Sequence, residues 1–310
     1  MKLDRRQYLT AGALLLAFLA LTSPRFCARP LAKPGHPTEE PVISLYVHTT
    51  GEKKQVRLET YLEGVLAGEM DGDWPLEALK AQAILARTFT LKKISAGGLR
   101  DRYGTDASTD PEEFQAYDAD KVNERIRQAV RETRGMVVTY RGRPIKAWFH
   151  SSSGGITATA VEGLNYTREP APYTQVKKDP QGAGDTWEAS FPLDAIRQAL
   201  AKVTGEHISQ VTPVKIVRKG PSGRATRLRF GQTTVVANDF RVAIGSKEFR
   251  STLLTGIAVG RGSVTFKGKG WGHGVGMSQH GAKAIAEQGT KAEEIVSFYY
   301  KGVKVEDWWD

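Results

Sequence analysis

Leu62, Val65, Leu66 and Glu69 recur at the i, i+3, i+4, i+7 spacing of a single helix face, so a helix over 61–70 places a carboxylate on its own apolar stripe. The run "DGDWP" (71–75) breaks that helix. Pro75, a favourable first helical residue, opens a second one that is apolar on most sides through Leu76, Leu79, Ala83, Ile84, Ala86 and Phe89. This pattern predicts a helical block to about Ser95, with the second helix central to its domain. Strand character appears in "VISLYVHTT" from Val42, in hairpins turning at Gly142 and at Pro221 to Gly223, and in "SVTFKGKG". Further helices are expected over 121–134 and 193–204, in "FRVAIG" capped by Asn238 or Asp239, after Ser278 up to Gly289, and from Thr290 with Glu293 as a capping box. The polar, aspartate-rich segment 97–120 reads as a long loop, and long loops in compact domains tend to be functional. Strands and helices interleave without regular βαβ spacing, which predicts an α+β fold with central helices on antiparallel hairpins.

The first thirty residues follow another pattern. Arg5 and Arg6 precede an apolar run from Ala11 to Leu21 that is too short to span a bilayer but matches the apolar core of a secretory signal. Residues 1–28 are therefore expected to be a signal peptide or N-terminal membrane anchor, 29–41 a proline-rich linker, and 42–310 the folded domain. The protein is expected outside the cytoplasm, in the periplasm or on the cell-wall side of the membrane. The sole cysteine, Cys27, falls near the expected cleavage point, which leaves no disulfide or thiolate metal site in the folded part. The formal net charge is +10, and residues 1–40 hold six Lys/Arg against three Asp/Glu, so the remainder keeps +7. Such a charge draws nucleic acid, anionic lipid or anionic cell wall, and export removes nucleic acid.

Glu69 carries the sharpest chemical signal. A carboxylate held among apolar groups has its charged form disfavoured, so it can hold a proton near neutral pH and act as a general acid. The alternative is a buried structural glutamate, with Arg87 as the obvious partner. Gly68 beside it permits close approach of another chain or a ligand. The stretch "GKGWGHGVGMSQHGAKAIA" (268–286) lacks the lysine of a phosphate-binding loop, and His273 with His280 supplies only two of the ligands a zinc site needs. It reads instead as a close-packed loop offering His273, Ser278, Gln279 and His280 as hydrogen-bonding groups, its glycines serving substrate approach or tight packing. In "WFHSSSGGIT", His150, Ser152 and Ser153 have the look of a polar pocket edge. Six tryptophans, Trp74, Trp148, Trp187, Trp271, Trp308 and Trp309, are open to core packing or to stacking on sugar faces.

Four segments in order, "LEGVLAGEM…WPLEALKAQAILARTF", "FHSSSGG", "FRSTL" and "GHGVGMSQHGAKAIA", resemble the sporulation stage II protein D family, also called SpoIID/LytB, from about Leu58 to Val305. The resemblance implies an exported, peptidoglycan-active protein. One branch is a lytic transglycosylase that cuts between N-acetylmuramic acid and N-acetylglucosamine, and another enhances a cell-wall amidase. By the same resemblance the catalytic acid is Glu69, Arg87 and Tyr173 join it, and Gln175 stands where relatives often carry lysine. Some members hold zinc through a "CxxTHCQ(V/A)Y" segment. Here the matching run is "ASTDPEEFQAY" (107–117), which keeps Gln-Ala-Tyr and has none of the soft ligands, so neither metal nor cofactor is expected. The implied partners are peptidoglycan glycan strands and a cell-wall amidase.

Overall fold

Alternation in "VISLY" and "KKQVR" yields a β-hairpin of β1 (Val42–Tyr46) and β2 (Lys53–Arg57), with Ile43 paired to Val56. This computed structural model describes residues 37–180 and 185–310, and the export signal and the first part of the linker expected over residues 1–36 lie outside the described residues. The folded unit begins at Pro37, and the Glu40 carboxylate pairs with Arg57 at 2.9 Å and Arg134 at 2.7 Å, so the end of the expected linker is built into it.

Helix α1 (Leu58–Glu69) grows directly out of β2, three residues before the expected start, and Leu62, Val65 and Leu66 are fully buried as their spacing requires. The break at 71–75 reverses the chain, and α2 (Leu76–Ser95) returns along α1 with Leu79, Ala83, Ile84 and Ala86 fully buried. The polar segment that follows holds a one-turn α3 (Arg100–Tyr103) and β3 (Ala107–Ser108), which joins the free edge of β1 in parallel. Asn123 caps α4 (Glu124–Glu132). The hairpin that turns at Gly142 is β4 (Met136–Tyr140) with β5 (Arg143–Pro144). Its expected continuation, β6 (Phe149–His150), leaves the hairpin for a separate parallel pair described below.

After α5 (Ala160–Leu164) come β7 (Thr186–Pro192), α6 (Leu193–Thr204), the second hairpin β8 (Val214–Lys219) and β9 (Ala225–Phe230), and β10 (Thr233–Val236). Helix α7 (Ala237–Ile244) starts after Val236, so Asn238 and Asp239 lie within its first turn and do not cap it. Strands β11 (Leu254–Val259) and β12 (Ser263–Lys269) complete a sheet ordered β11-β12-β7. Then β13 (Met277–Ser278) pairs with β6, Ser278 caps α8 (Gln279–Glu287), α9 (Ala292–Tyr299) follows, and β14 (Lys304–Asp307) closes onto β4. Lys291, not Thr290, occupies the cap position of α9, because Glu77 of α2 accepts the Ala292 N–H at 2.9 Å and supplies the missing cap.

The class is α+β, with small and mainly antiparallel sheets. Two large apolar cores and a small cluster of Ala158, Ala160 and Val275 form among the described residues of the unit. One gathers residues from Ile43 to Ala147 with Met277 to Trp309, around α2, which packs on α1, α4, α8 and α9. The other gathers Trp187 to Phe266, with Phe240, Phe249 and Phe266 packed ring to ring. Among the described residues no helix is long and apolar enough to cross a membrane.

Candidate active site

Glu69 ends α1 and sits in the wall of a cleft of about 510 Å³. The same cleft is lined by Phe89 of α2, by Phe114, Gln115 and Ala116 of the long polar loop, by Trp148 to Ser151 around β6, by Arg241 of α7 and by Trp271 to His273. It therefore draws one wall from segments of the first core and another from segments bordering the second. Glu69 is the only carboxylate among its described lining residues.

Two donors hold that carboxylate. The Ala116 N–H donates to one oxygen at 2.8 Å and the Gln279 side-chain amide to the other at 3.3 Å. Burial raises the Glu69 pKa above the ordinary carboxylate value, and the two hydrogen bonds offset only part of that rise. Gly68 makes the first bond geometrically feasible. A Cβ there would lie 2.6 Å from the Tyr117 nitrogen and 2.7 Å from the Ala116 carbonyl carbon, so only glycine lets this loop lie flat on the end of α1. The close approach expected at Gly68 is thus that of the loop. The Gln-Ala-Tyr that persists in this chain supplies it: Gln115 donates to Thr90 at 2.8 Å, Ala116 to Glu69, and the following Asp118 N–H to the Gly64 carbonyl at 2.9 Å.

The glycine-histidine loop is stitched to β6 and its continuation. Ser152 and Trp271 exchange backbone hydrogen bonds at 3.0 and 2.8 Å, and the Ala158 N–H donates to the Gly274 carbonyl at 2.7 Å. Gly272 (φ +111°) faces the His150 Cβ so closely that a methyl group would stand 2.7 Å from it. That contact sets two imidazoles side by side, with ring centroids 5.5 Å apart. One residue's backbone orients both rings: the Val275 N–H donates to His273 Nδ1 at 3.0 Å, and His150 Nδ1 donates to the Val275 carbonyl at 3.2 Å. His150 is left with a buried Nε2 that has no partner among the described residues. Burial lowers the pKa of both rings, that of His273 to about 3, and the nearby cations Arg224 and Arg241 lower them further, so both rings are neutral at pH 7.

The expected site residues divide into two groups. Glu69, His150, His273 and Gln279 line the cleft. Ser278 is buried as the cap of α8, its hydroxyl accepting the Gly281 N–H at 3.2 Å, and Ser152 is buried in the exchange with Trp271. His280 packs edge-on against Trp74 outside the cleft lining. Tyr173 is buried between Tyr140 and Tyr300, its hydroxyl accepting the Lys146 N–H at 2.9 Å, and Gln175 donates to the Phe298 carbonyl at 3.1 Å. Neither is a lining residue of the cleft.

Arg87 requires a correction. It is fully buried and makes two parallel bonds to Glu59, at 2.9 and 2.5 Å, with a third to the Met136 carbonyl at 3.2 Å. Glu59 lies in the first turn of α1 and Glu69 in the last, ten residues and about 15 Å apart along the axis. Because α2 runs back along α1, its later turns meet the beginning of α1. Glu59 also accepts from Gly135 N–H at 3.3 Å and from the Trp309 indole at 3.2 Å, so Arg87 and Trp309 belong to a structural knot. Sequence reasoning missed Glu59 because starting the helix at Tyr61 left it off the helix altogether. Of the tryptophans, Trp187 and Trp309 are core residues, whereas Trp271 is 41% exposed on the cleft and Trp148 lines it.

A family model described as stage II sporulation protein matches residues 46–140, which contain Glu69 and the loop that holds it. A stage II sporulation protein D from Bacillus amyloliquefaciens is 31% identical over 283 residues, covering 87% of this chain and 80% of the relative. The chain belongs to the SpoIID/LytB family. A model of a domain of unknown function (DUF8618) matches residues 173–276, a span that takes in the whole second core. Other relatives include an uncharacterized protein from Brachyspira hyodysenteriae, 31% identical over 82% of this chain and 68% of its own length. An amidase enhancer from Bacillus subtilis is 30% identical over 78% of this chain and 39% of the relative.

Proposed function

We propose that this SpoIID-family protein is an exported lytic transglycosylase that cleaves peptidoglycan between N-acetylmuramic acid and N-acetylglucosamine, with Glu69 as both acid and base. Residues 1–28 direct export or anchor the chain, and the folded unit from Pro37 onward acts on the wall.

The observation that supports this reading is a single partly buried carboxylate, with a raised pKa, in a cleft that has no other carboxylate among its described lining residues. A glycosidase that uses water wants two carboxylates flanking the bond, about 5–10 Å apart. An intramolecular nucleophile needs only one. Protonated Glu69 gives its proton to the glycosidic oxygen, the muramoyl C1–O bond breaks, and N-acetylglucosamine departs with its 4-hydroxyl restored. The ionised carboxylate then takes the proton from the muramoyl C6 hydroxyl as O6 closes onto C1, giving the 1,6-anhydro sugar and returning Glu69 to its starting state. The Ala116 N–H and the Gln279 amide steady the carboxylate in the ionised half of the cycle. The exposed Trp271 offers a flat apolar face to a sugar ring.

The test is Glu69→Gln on purified glycan, followed by mass spectrometry. The expected result is loss of anhydro-muramoyl products with sacculus binding retained. Undiminished anhydro product would overturn the role. The kinship with an amidase enhancer supports a second reading, a non-catalytic wall-binding protein that stimulates a cell-wall amidase. In that case the purified wild-type protein yields no glycan product and raises amidase turnover when the two are mixed.

A further inference from the structure

Arg241 is 9% exposed and lines the cleft from α7. Its Nε donates to the Arg250 carbonyl at 3.1 Å, which fixes the plane of the guanidinium, and among the described residues no carboxylate is paired with it. The two other deeply buried arginines differ in this respect. Arg87 has Glu59. Arg224 donates to the Ile156 and Ser153 carbonyls and to the Ser222 hydroxyl, with Glu162 and Asp179 close enough to favour its charge. Burial alone lowers the Arg241 pKa, to about 10, which leaves it fully charged at pH 7. A buried charge without a counter-charge is costly, and the cost is recovered when a ligand brings the missing anion.

The surroundings are suited to receive one. Arg241 is among the charges that lower the pKa of both His150 and His273, so its head lies near the paired rings. Both rings are neutral, and the unpartnered Nε2 of His150 is an acceptor waiting for an O–H or N–H beside the cation. The cleft thus has an acid on one wall and a lone cation with an adjacent acceptor on another.

We propose that Arg241 is the carboxylate receptor of this cleft, gripping an acid group carried by the bound glycan while Glu69 faces the bond to be cut. The inference rests on the glycan reading above. A planar guanidinium offers two parallel N–H donors that match a carboxylate and cannot be matched by its amide. In peptidoglycan such a group is either the lactyl carboxylate of a muramoyl unit without its peptide or a carboxylate of the stem peptide.

The experiment measures binding by calorimetry in the Glu69→Gln background, which keeps the glycan uncut. Four ligands are compared: peptide-free oligomers, the same oligomers with the lactyl acid converted to its methylamide, peptide-bearing oligomers, and those with the stem acids likewise masked. Masking the recognised acid is expected to weaken binding tenfold or more, and the pair that responds identifies its source. Adding Arg241→Gln should make that pair equal, whereas Arg241→Lys should restore part of the preference. If both maskings leave affinity within twofold, or if Arg241→Gln still discriminates, the receptor assignment falls and the glycan reading stands. If none of the four oligomers binds, both fall.

Discussion

At the scale of single residues, the chemistry turns on how Glu69 is solvated. Its pKa is raised by burial against two hydrogen bonds that favour the ionised form. In the proposed mechanism the catalytic step begins from the protonated acid. We therefore expect kcat/KM to be level at low pH and to fall tenfold per pH unit once pH passes the folded-state pKa of Glu69, which lies above 4.5. The stability contribution has the same sign: a raised folded pKa stabilises the fold below the unfolded pKa and loses that contribution as pH rises through the folded value. Urea denaturation of Glu69→Gln against wild type across pH should show the variant gaining relative stability as pH rises. A pH-independent difference would mean that the carboxyl is not desolvated. Glu69 was legible from spacing alone, because a charged residue at a stripe position violates the rule that its neighbours obey. Arg241 was not legible: it sits in a short helix with no feature to mark it, and only the folded cleft shows that it lacks a partner.

At the scale of elements, α1 and α2 are an antiparallel pair with different duties at their two ends. The Glu59–Arg87 pair closes one end, and Glu69 with the 114–117 loop forms the cleft at the other. Replacing Arg87 by alanine strands Glu59 in the core and should cost about 3–5 kcal/mol in urea denaturation. The protein that remains folded should keep kcat and KM within a few-fold. A hundredfold fall in kcat with unchanged stability would return Arg87 to the catalytic group. Helix boundaries mattered here: a start set three residues late by pattern left Glu59 off the helix and hid the partner of Arg87, whose catalytic candidacy came from the family resemblance. Positions such as Ser278 at the start of α8 were read correctly, because a cap acts within one turn and needs no tertiary context.

At the scale of the molecule, two apolar cores must be held in register for the cleft to exist. Arg224 links the second core's hairpin to the segment that follows β6. From the turn before β9 it reaches across to the Ile156 and Ser153 carbonyls, and the loop at Gly274 packs so close to its guanidinium that a methyl group there would stand 2.4 Å away. Arg224→Ala would leave two buried carbonyls short of a donor and open a cavity, at roughly 3–5 kcal/mol. Hydrogen exchange should show lost protection over residues 268–276 and loss of glycan binding, whereas protection in α2 should change little. Uniform loss of protection throughout the chain would instead show that the two cores unfold as one.

The α+β class, most element positions, the cap of α8 and the oddity of Glu69 were determined by the chain's own pattern of apolar and polar residues, because each depends on neighbours within a turn or two. Which arginine pairs with which glutamate, which histidine nitrogen is left free, and which tryptophan faces solvent were decided only by the tertiary structure. Those properties depend on desolvation and on contacts between residues 28 to 210 positions apart, and spacing along a chain carries no record of either.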